Sequence, residues 1–248
     1  MSMSTFAFPL LYTVFAWWFG TGIILLLNQR PRSTHQTTFW MSGVVLLFAL
    51  VGLKTSANLN TVAGAYCGFT CALLVWAWQE IGFLLGYVTG SRRTACPPEC
   101  RGFRKAFYAF QTIAHHELAL LVLGAAVALV TWGGSNLIGL WTFIILWAMR
   151  QSAKLNVFLG VLNLNEKFLP VHLKYIHSYF TKRAMNPLLP ISILVACLFA
   201  IPLWQAVWLS AGCQVKYIQR LPGSCDLHFV SPAHPGLLPG WPCPVWPT

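Results

Sequence analysis

Arg104-Lys-Ala-Phe-Tyr-Ala-Phe-Gln-Thr-Ile-Ala-His-His-Glu-Leu-Ala-Leu-Leu-Val-Leu-Gly-Ala-Ala-Val-Ala-Leu-Val-Thr-Trp132 decides how this chain folds. After Glu117 it carries no charged side chain up to Trp132. A spanning helix needs roughly 20 apolar residues, so the stretch reads as one membrane span. His115, His116 and Glu117 nonetheless lie inside it. An ionisable group at bilayer depth costs about 2.5–3.5 kcal/mol on insertion scales and faces a partner or a cavity. The partners must come from other apolar runs.

Two flanking runs supply them. Residues 61–89 contain Glu80, and residues 137–160 contain Arg150 and Lys154. Further apolar runs cover 7–27, 37–53 and 188–210, which gives six spans. The whole chain is 57% hydrophobic and only 8% charged, against about 25% charged in globular proteins. The class is an all-α, polytopic transmembrane helical bundle over residues 1–211. The net charge of +11 reads as a topology signal rather than as nucleic-acid binding.

The basic residues cluster by loop. Arg30 and Arg32 lie in the first loop, Arg92, Arg93, Arg101, Arg104 and Lys105 around the third, and Lys167, Lys174, Lys182 and Arg183 in the fifth. The second loop has only Lys54, and the fourth, Gly133-Gly-Ser-Asn136, has none. The positive-inside rule then places the odd loops in the cytoplasm and the N-terminus outside. At 1.5 Å rise per residue, Glu80, the His115–Glu117 group, Arg150 and Lys154 all fall in the inner half of the bilayer.

Arg150 and Lys154 are four apart and share a helix face, and Ser152 and Asn156 share another. His115, His116 and Glu117 fan over about 200°, so they cannot all point at one centre. The polar intramembrane cluster is therefore Glu80, His115, His116, Glu117, Arg150, Lys154 and Asn156. Three readings stay open. The acids and bases pair and neutralise one another. Alternatively, Glu80, His116 and Glu117 hold a transition metal, as carboxylates and histidines do in helical di-iron proteins, in a membrane metalloenzyme acting on a pigment, quinone or lipid. Or a histidine and the Trp- and Phe-rich walls hold a flat pigment or quinone.

Cys67, Cys71 and Cys197 read as packing residues, and Cys96-Pro-Pro-Glu-Cys100 as half a zinc site at most. From Pro170 the fifth loop reads as an amphipathic helix with Leu173, Ile176 and Phe180 on one stripe. Such helices lie on membrane lipids. Glu166, His172 and His177 are its candidate functional groups, and Asn163, Asn165 and Asn186 suit turns and caps.

These motifs resemble a known family. The stretch Trp147-Ala-Met-Arg-Gln-Ser-Ala-Lys-Leu-Asn-Val-Phe-Leu-Gly-Val161, with Asn163, Phe168-Leu-Pro and His172-Leu-Lys-Tyr, is similar to the photosynthetic complex assembly protein 2 (PuhE) family of purple bacteria. So are Trp76-Ala-Trp-Gln-Glu-Ile-Gly-Phe-Leu-Leu-Gly86, Thr89-Gly-Ser-Arg-Arg93 and His115-His-Glu-Leu-Ala-Leu120. The resemblance covers roughly residues 5–205. It implies a multi-pass protein of the bacterial inner (intracytoplasmic photosynthetic) membrane. Its role would be to support assembly of the reaction centre–light-harvesting 1 complex and bacteriochlorophyll production. Partners would be reaction-centre and light-harvesting subunits or pigment intermediates, with a bacteriochlorophyll-type pigment as a conceivable ligand and no established enzymatic activity. The family pattern maps onto Glu80, His116, Glu117, Arg150, Ser152, Lys154, Asn156 and His172. A His-Glu pair is expected on the third span, but position 79 is Gln. The family also implies a seventh span, whereas residues 212–248 are dense in Pro, Gly and Trp and read as a frameshifted or disordered tail.

Overall fold

A computed structural model of the protein describes residues 4–162, 169–201 and 205. The described residues are helical and contain no strand, only an isolated bridge between Val161 and Lys182. The helices are α1 (Ser4–Asn28), α2 (His35–Ser56), α3 (Val62–Leu84), α4 (Gly102–Gln111), α5 (Ala114–Val130), α6 (Ile138–Leu159), α7 (Lys174–His177) and α8 (Leu188–Ile201). Residues 9–189 form one compact unit; residues 1–8 and 190–248 are assigned to a second. The tail at 212–248 and the loop residues Asn163, Asn165 and Glu166 lie outside the described residues.

Three helices, α1, α2 and α3, are long and apolar enough to cross a membrane. A fourth span exists if α4 and α5 are counted together. The six expected runs therefore differ in outcome. α6 has the length of a span, but Arg150, Gln151, Lys154 and Asn156 dilute its second half. The described part of α8, Leu188–Ile201, is one of the shorter apolar helices.

The deciding stretch is not one rod. α4 and α5 meet at 62° across Thr112 and Ile113. No Pro or Gly sits at the break. Another segment of backbone enters there instead. Thr89 O accepts from His116 N at 2.8 Å, and Arg92 N donates to Gln111 O at 3.2 Å. The helical ladder is thus interrupted by outside partners, which is one of the physical causes of a sharp kink. Gly90 permits the approach, because a Cβ there would fall on the backbone of Gln111 and Thr112. The same intrusion explains why α3 stops at Leu84 instead of continuing to 89: residues 87–92 leave the helix to run along the break.

The apolar core of residues 9–189 is built by α2, α3, α5 and α6. Ala49, Leu53, Val75, Trp76, Leu120, Leu123, Val127 and Phe143 form its buried cluster. Trp76 meets Phe143 edge-on at 5.7 Å. Small residues bring the helices close, as expected where lipid gives no hydrophobic drive between them. A Cβ at Gly139 would lie 3.0 Å from the Gly68 carbonyl oxygen, and one at Gly124 3.2 Å from the Phe143 ring. α1 touches α3 through Tyr12, whose hydroxyl is 2.5 Å from Thr70 Oγ1 and whose ring packs edge-on to Tyr66.

The two ends of these helices are closed differently. At one end Asn136 joins two turns: its Nδ2 donates to Ser56 O at 3.0 Å and Leu59 O at 3.3 Å, and its N–H donates to Ala57 O at 2.8 Å. At the other end lie the α4–α5 break, the end of α3 and α7. There Phe83, Leu173 and Ile176 make a second, smaller apolar cluster.

Candidate functional site: a charged seam between three helices

α3, α5 and α6 carry the charged residues to one level. α3 presents the neighbours Gln79 and Glu80 and, one turn further on, Phe83. The first turn of α5 presents His116 and Glu117, because the break at Thr112–Ile113 starts a new helix just before them. α6 answers with Arg150, Gln151 and Lys154.

Arg150 Nη1 donates to Glu80 Oε1 at 2.5 Å. Lys154 Nζ is paired with Glu117 Oε1, and Gln151 Nε2 donates to Glu117 Oε2 at 2.7 Å. Side-chain exposures in these pairs range from 14% to 24%, so each pair is largely withdrawn from solvent. Two acids meet two bases, and the seam is neutral. Arg150 also lies over the Phe83 ring at 5.7 Å, and Phe83 packs on His116 at 4.7 Å.

His116 and Gln79 are both fully buried. The Gln79 amide nitrogen lies 2.8 Å from His116 Nδ1 and donates to His116 O, also at 2.8 Å. One amide proton goes to each, so Nδ1 is the acceptor. The reverse amide orientation would set its oxygen against the carbonyl oxygen. His116 therefore carries its proton on Nε2, which points away from Gln79. Nδ1 is thus engaged by Gln79, while Nε2 is buried and has no hydrogen-bond partner among the described residues.

Glu80, His116 and Glu117, the candidate metal ligands, are not brought together as a ligand set in this arrangement. Each carboxylate is engaged by a cation of α6, and among the described residues no three His, Cys, Asp or Glu side chains form a group able to hold a metal ion.

The remaining candidates are dispersed. His115 is exposed on α5, about 100° around the helix from His116. Asn156 belongs to a separate set at the end of α6. Its Nδ2 donates to Ser152 O at 2.9 Å, and its carbonyl accepts from Asn186 Nδ2 at 3.1 Å. Asn186 Nδ2 also donates to Gly160 O at 2.8 Å, closing the turn where Gly160 (φ 126°) ends α6. His172 lies over Gly86 (φ 84°), 2.9 Å from the Leu84 carbonyl at the end of α3. Burial pushes its imidazole below the usual histidine range, so the neutral ring donates through Nε2. His177 meets the Phe180 ring edge-on.

Some structural partners are new relative to the sequence reading. Gln151 was not singled out, although it holds the second oxygen of Glu117. Its position one residue from Arg150 and three from Lys154 was the available signal. Arg92 is more than a loop charge. It donates through Nε to Tyr179 OH at 2.7 Å and stacks on Tyr108 at 4.2 Å, and the Tyr179 bond holds its guanidinium pKa above the ordinary value.

Apolar helices of spanning length and a paired charge seam define the class as a multi-helix protein of membrane-spanning type. The chain belongs to the family described as "Protein of unknown function (DUF3623)", whose profile matches residues 3–220. It is 38% identical over 198 residues to the "Uncharacterized 30.4 kDa protein in puhA 5'region" of Rhodobacter capsulatus, a match covering 78% of this chain and 72% of that protein. No solved structure matches the chain.

Proposed function

We propose that the chain is an integral membrane assembly factor of the photosynthetic apparatus. It would support formation of the reaction centre–light-harvesting 1 complex and bacteriochlorophyll production, as the resemblance to the PuhE family implies. The position of the Rhodobacter capsulatus relative in the puhA 5′ region supports a photosynthetic role. The observation that carries a scaffolding rather than a catalytic reading is the closed seam. Glu80 and Glu117 are engaged by Arg150, Lys154 and Gln151, and His116 Nδ1 is engaged by Gln79. Both acids of that group are already committed to cations of α6.

The topology is part of the proposal. Six spans with the N-terminus outside place Arg30, Arg32, the 92–105 basic group and Lys174–Arg183 on the cytoplasmic side. Reaction-centre and light-harvesting subunits or pigment intermediates would meet the protein there, in the photosynthetic inner membrane. Deletion of the gene tests the reading. The expected result is a reduced yield of core complex with no altered pigment precursor. Accumulation of a precursor lacking one oxidation or reduction would contradict it.

A further inference from the structure

None of α4's residues is buried, as is also true of the described side chains of α1. Phe103, Phe107 and Phe110 follow at i, i+4 and i+7 and so form one stripe. They are 88%, 51% and 53% exposed. The opposite flank meets the protein through Lys105, whose Nζ donates to Thr181 Oγ1 at 3.2 Å, and through Tyr108. The aromatic stripe therefore faces outward by construction.

Positive charge is gathered beside it. The Tyr108 ring carries two guanidiniums, Arg92 at 4.2 Å and Arg104 at 5.5 Å, and Arg104 Nε also donates to Tyr108 OH at 3.2 Å. Arg101 caps the helix start, and Arg93, Arg101 and Arg104 are exposed. Glu99 is the one acid in this segment, against Arg92, Arg93, Arg101, Arg104 and Lys105. Beyond the break, Leu118, Leu121 and Val122 of α5 are exposed as well, as residues of a span facing lipid are. With α5 near the membrane normal, a 62° bend lays α4 closer to the membrane plane than to the normal.

We propose that α4 is an interfacial anchor that binds anionic phospholipid. Its phenylalanines enter the acyl boundary, and Arg101 and Arg104 with their neighbours contact the headgroup phosphates. An aromatic face flanked by cations is the chemistry such a surface selects. This placement also accounts for a break with no Pro or Gly. The chain must turn from lying in the interface to crossing it, and the 87–92 segment supplies the hydrogen bonds that the turn leaves open.

Photocrosslinking of the full-length protein tests the anchor. Phe103 or Phe107 is replaced by p-benzoylphenylalanine, with Leu129 at the far end of α5 replaced as a control. The protein is irradiated in native membranes and in vesicles of equimolar phosphatidylcholine and phosphatidylglycerol, and adducts are read by intact mass. The expected adduct at 103 and 107 is phospholipid, enriched in phosphatidylglycerol by about fivefold per engaged arginine. Arg101→Gln with Arg104→Gln should bring that preference to parity. The adduct at 129 should show no headgroup preference, and its retention in the double variant shows that the fold survives. A dominant protein adduct in native membranes would overturn the anchor and make the stripe a subunit contact. A phospholipid adduct without headgroup preference, or no adduct, would overturn it as well.

Discussion

The two ends of the helices solve the same problem with different chemistry. At one end Asn136 satisfies the turns after α2 and before α6 with a single neutral side chain. At the other, a broken helix, an intruding backbone segment, His172 and several arginines share the work. The neutral end reads as closure alone. The charged end holds the seam, the interfacial helix and α7, and it is where a partner or a lipid surface can be met. The comparison teaches that regular packing and functional irregularity are separated along the helix axes.

The largest test of this division is charge removal in the seam. Lys154→Met leaves Glu117 with only Gln151; breaking a fully buried pair costs roughly 3–5 kcal/mol, and this part-buried one should approach the lower figure. The expected outcome is a large loss of thermal stability in detergent. A change near zero would mean that water already shares the pair, and would sink the claim that the seam holds the helices together. Gln79→Leu is the next largest. It strips His116 of its amide partner and should destabilise by about 1–3 kcal/mol, which thermal unfolding reads directly. Asn136→Ala at the opposite end should cost a similar amount by leaving the Ser56 and Leu59 carbonyls short of a donor, about 1–3 kcal/mol. Unlike the seam variants, it should leave core-complex yield intact once expression is matched. If it lowers yield as strongly as the seam variants do, the two ends are not functionally distinct.

The smallest expected effect is a pH dependence at His172. Its folded-state pKa lies below the ordinary value of 6.5 because burial disfavours the charged ring. The unfolded chain then binds more protons, so stability rises with pH through this window. Docking of residues 171–177 on α3 should be fully present above the unfolded value and weaken as pH falls below it. Amide exchange of this segment at two pH values reads the change, and His172→Gln should flatten it. An unchanged slope in that variant would assign the effect elsewhere.

Much of this architecture was legible in the sequence. Apolar runs located the helices, and the i, i+4 spacing of Arg150 and Lys154 put two cations on one face opposite the acids. Direction was not legible. Neighbouring residues on a helix differ by about 100°, and nothing in His115-His116 says which ring turns inward. The α4–α5 break was not legible either, because Gln111-Thr-Ile113 contains no breaker and the cause lies at Thr89–Arg92, far away in sequence. Asn156 was grouped with the charges by depth, yet its partners are Ser152 and Asn186. Depth is set by position along the helix, whereas contact also needs rotation about it.

Exchange of the paired charges tests the central claim most directly. Glu117→Lys and Lys154→Glu are each made alone and then together, and both thermal stability and core-complex yield are measured. A pair that serves only to neutralise and hold α5 against α6 should fail in each single variant and recover both properties in the double variant. Recovery of stability without recovery of yield would contradict the account, since it would show that the carboxylate is needed at position 117 for its chemistry.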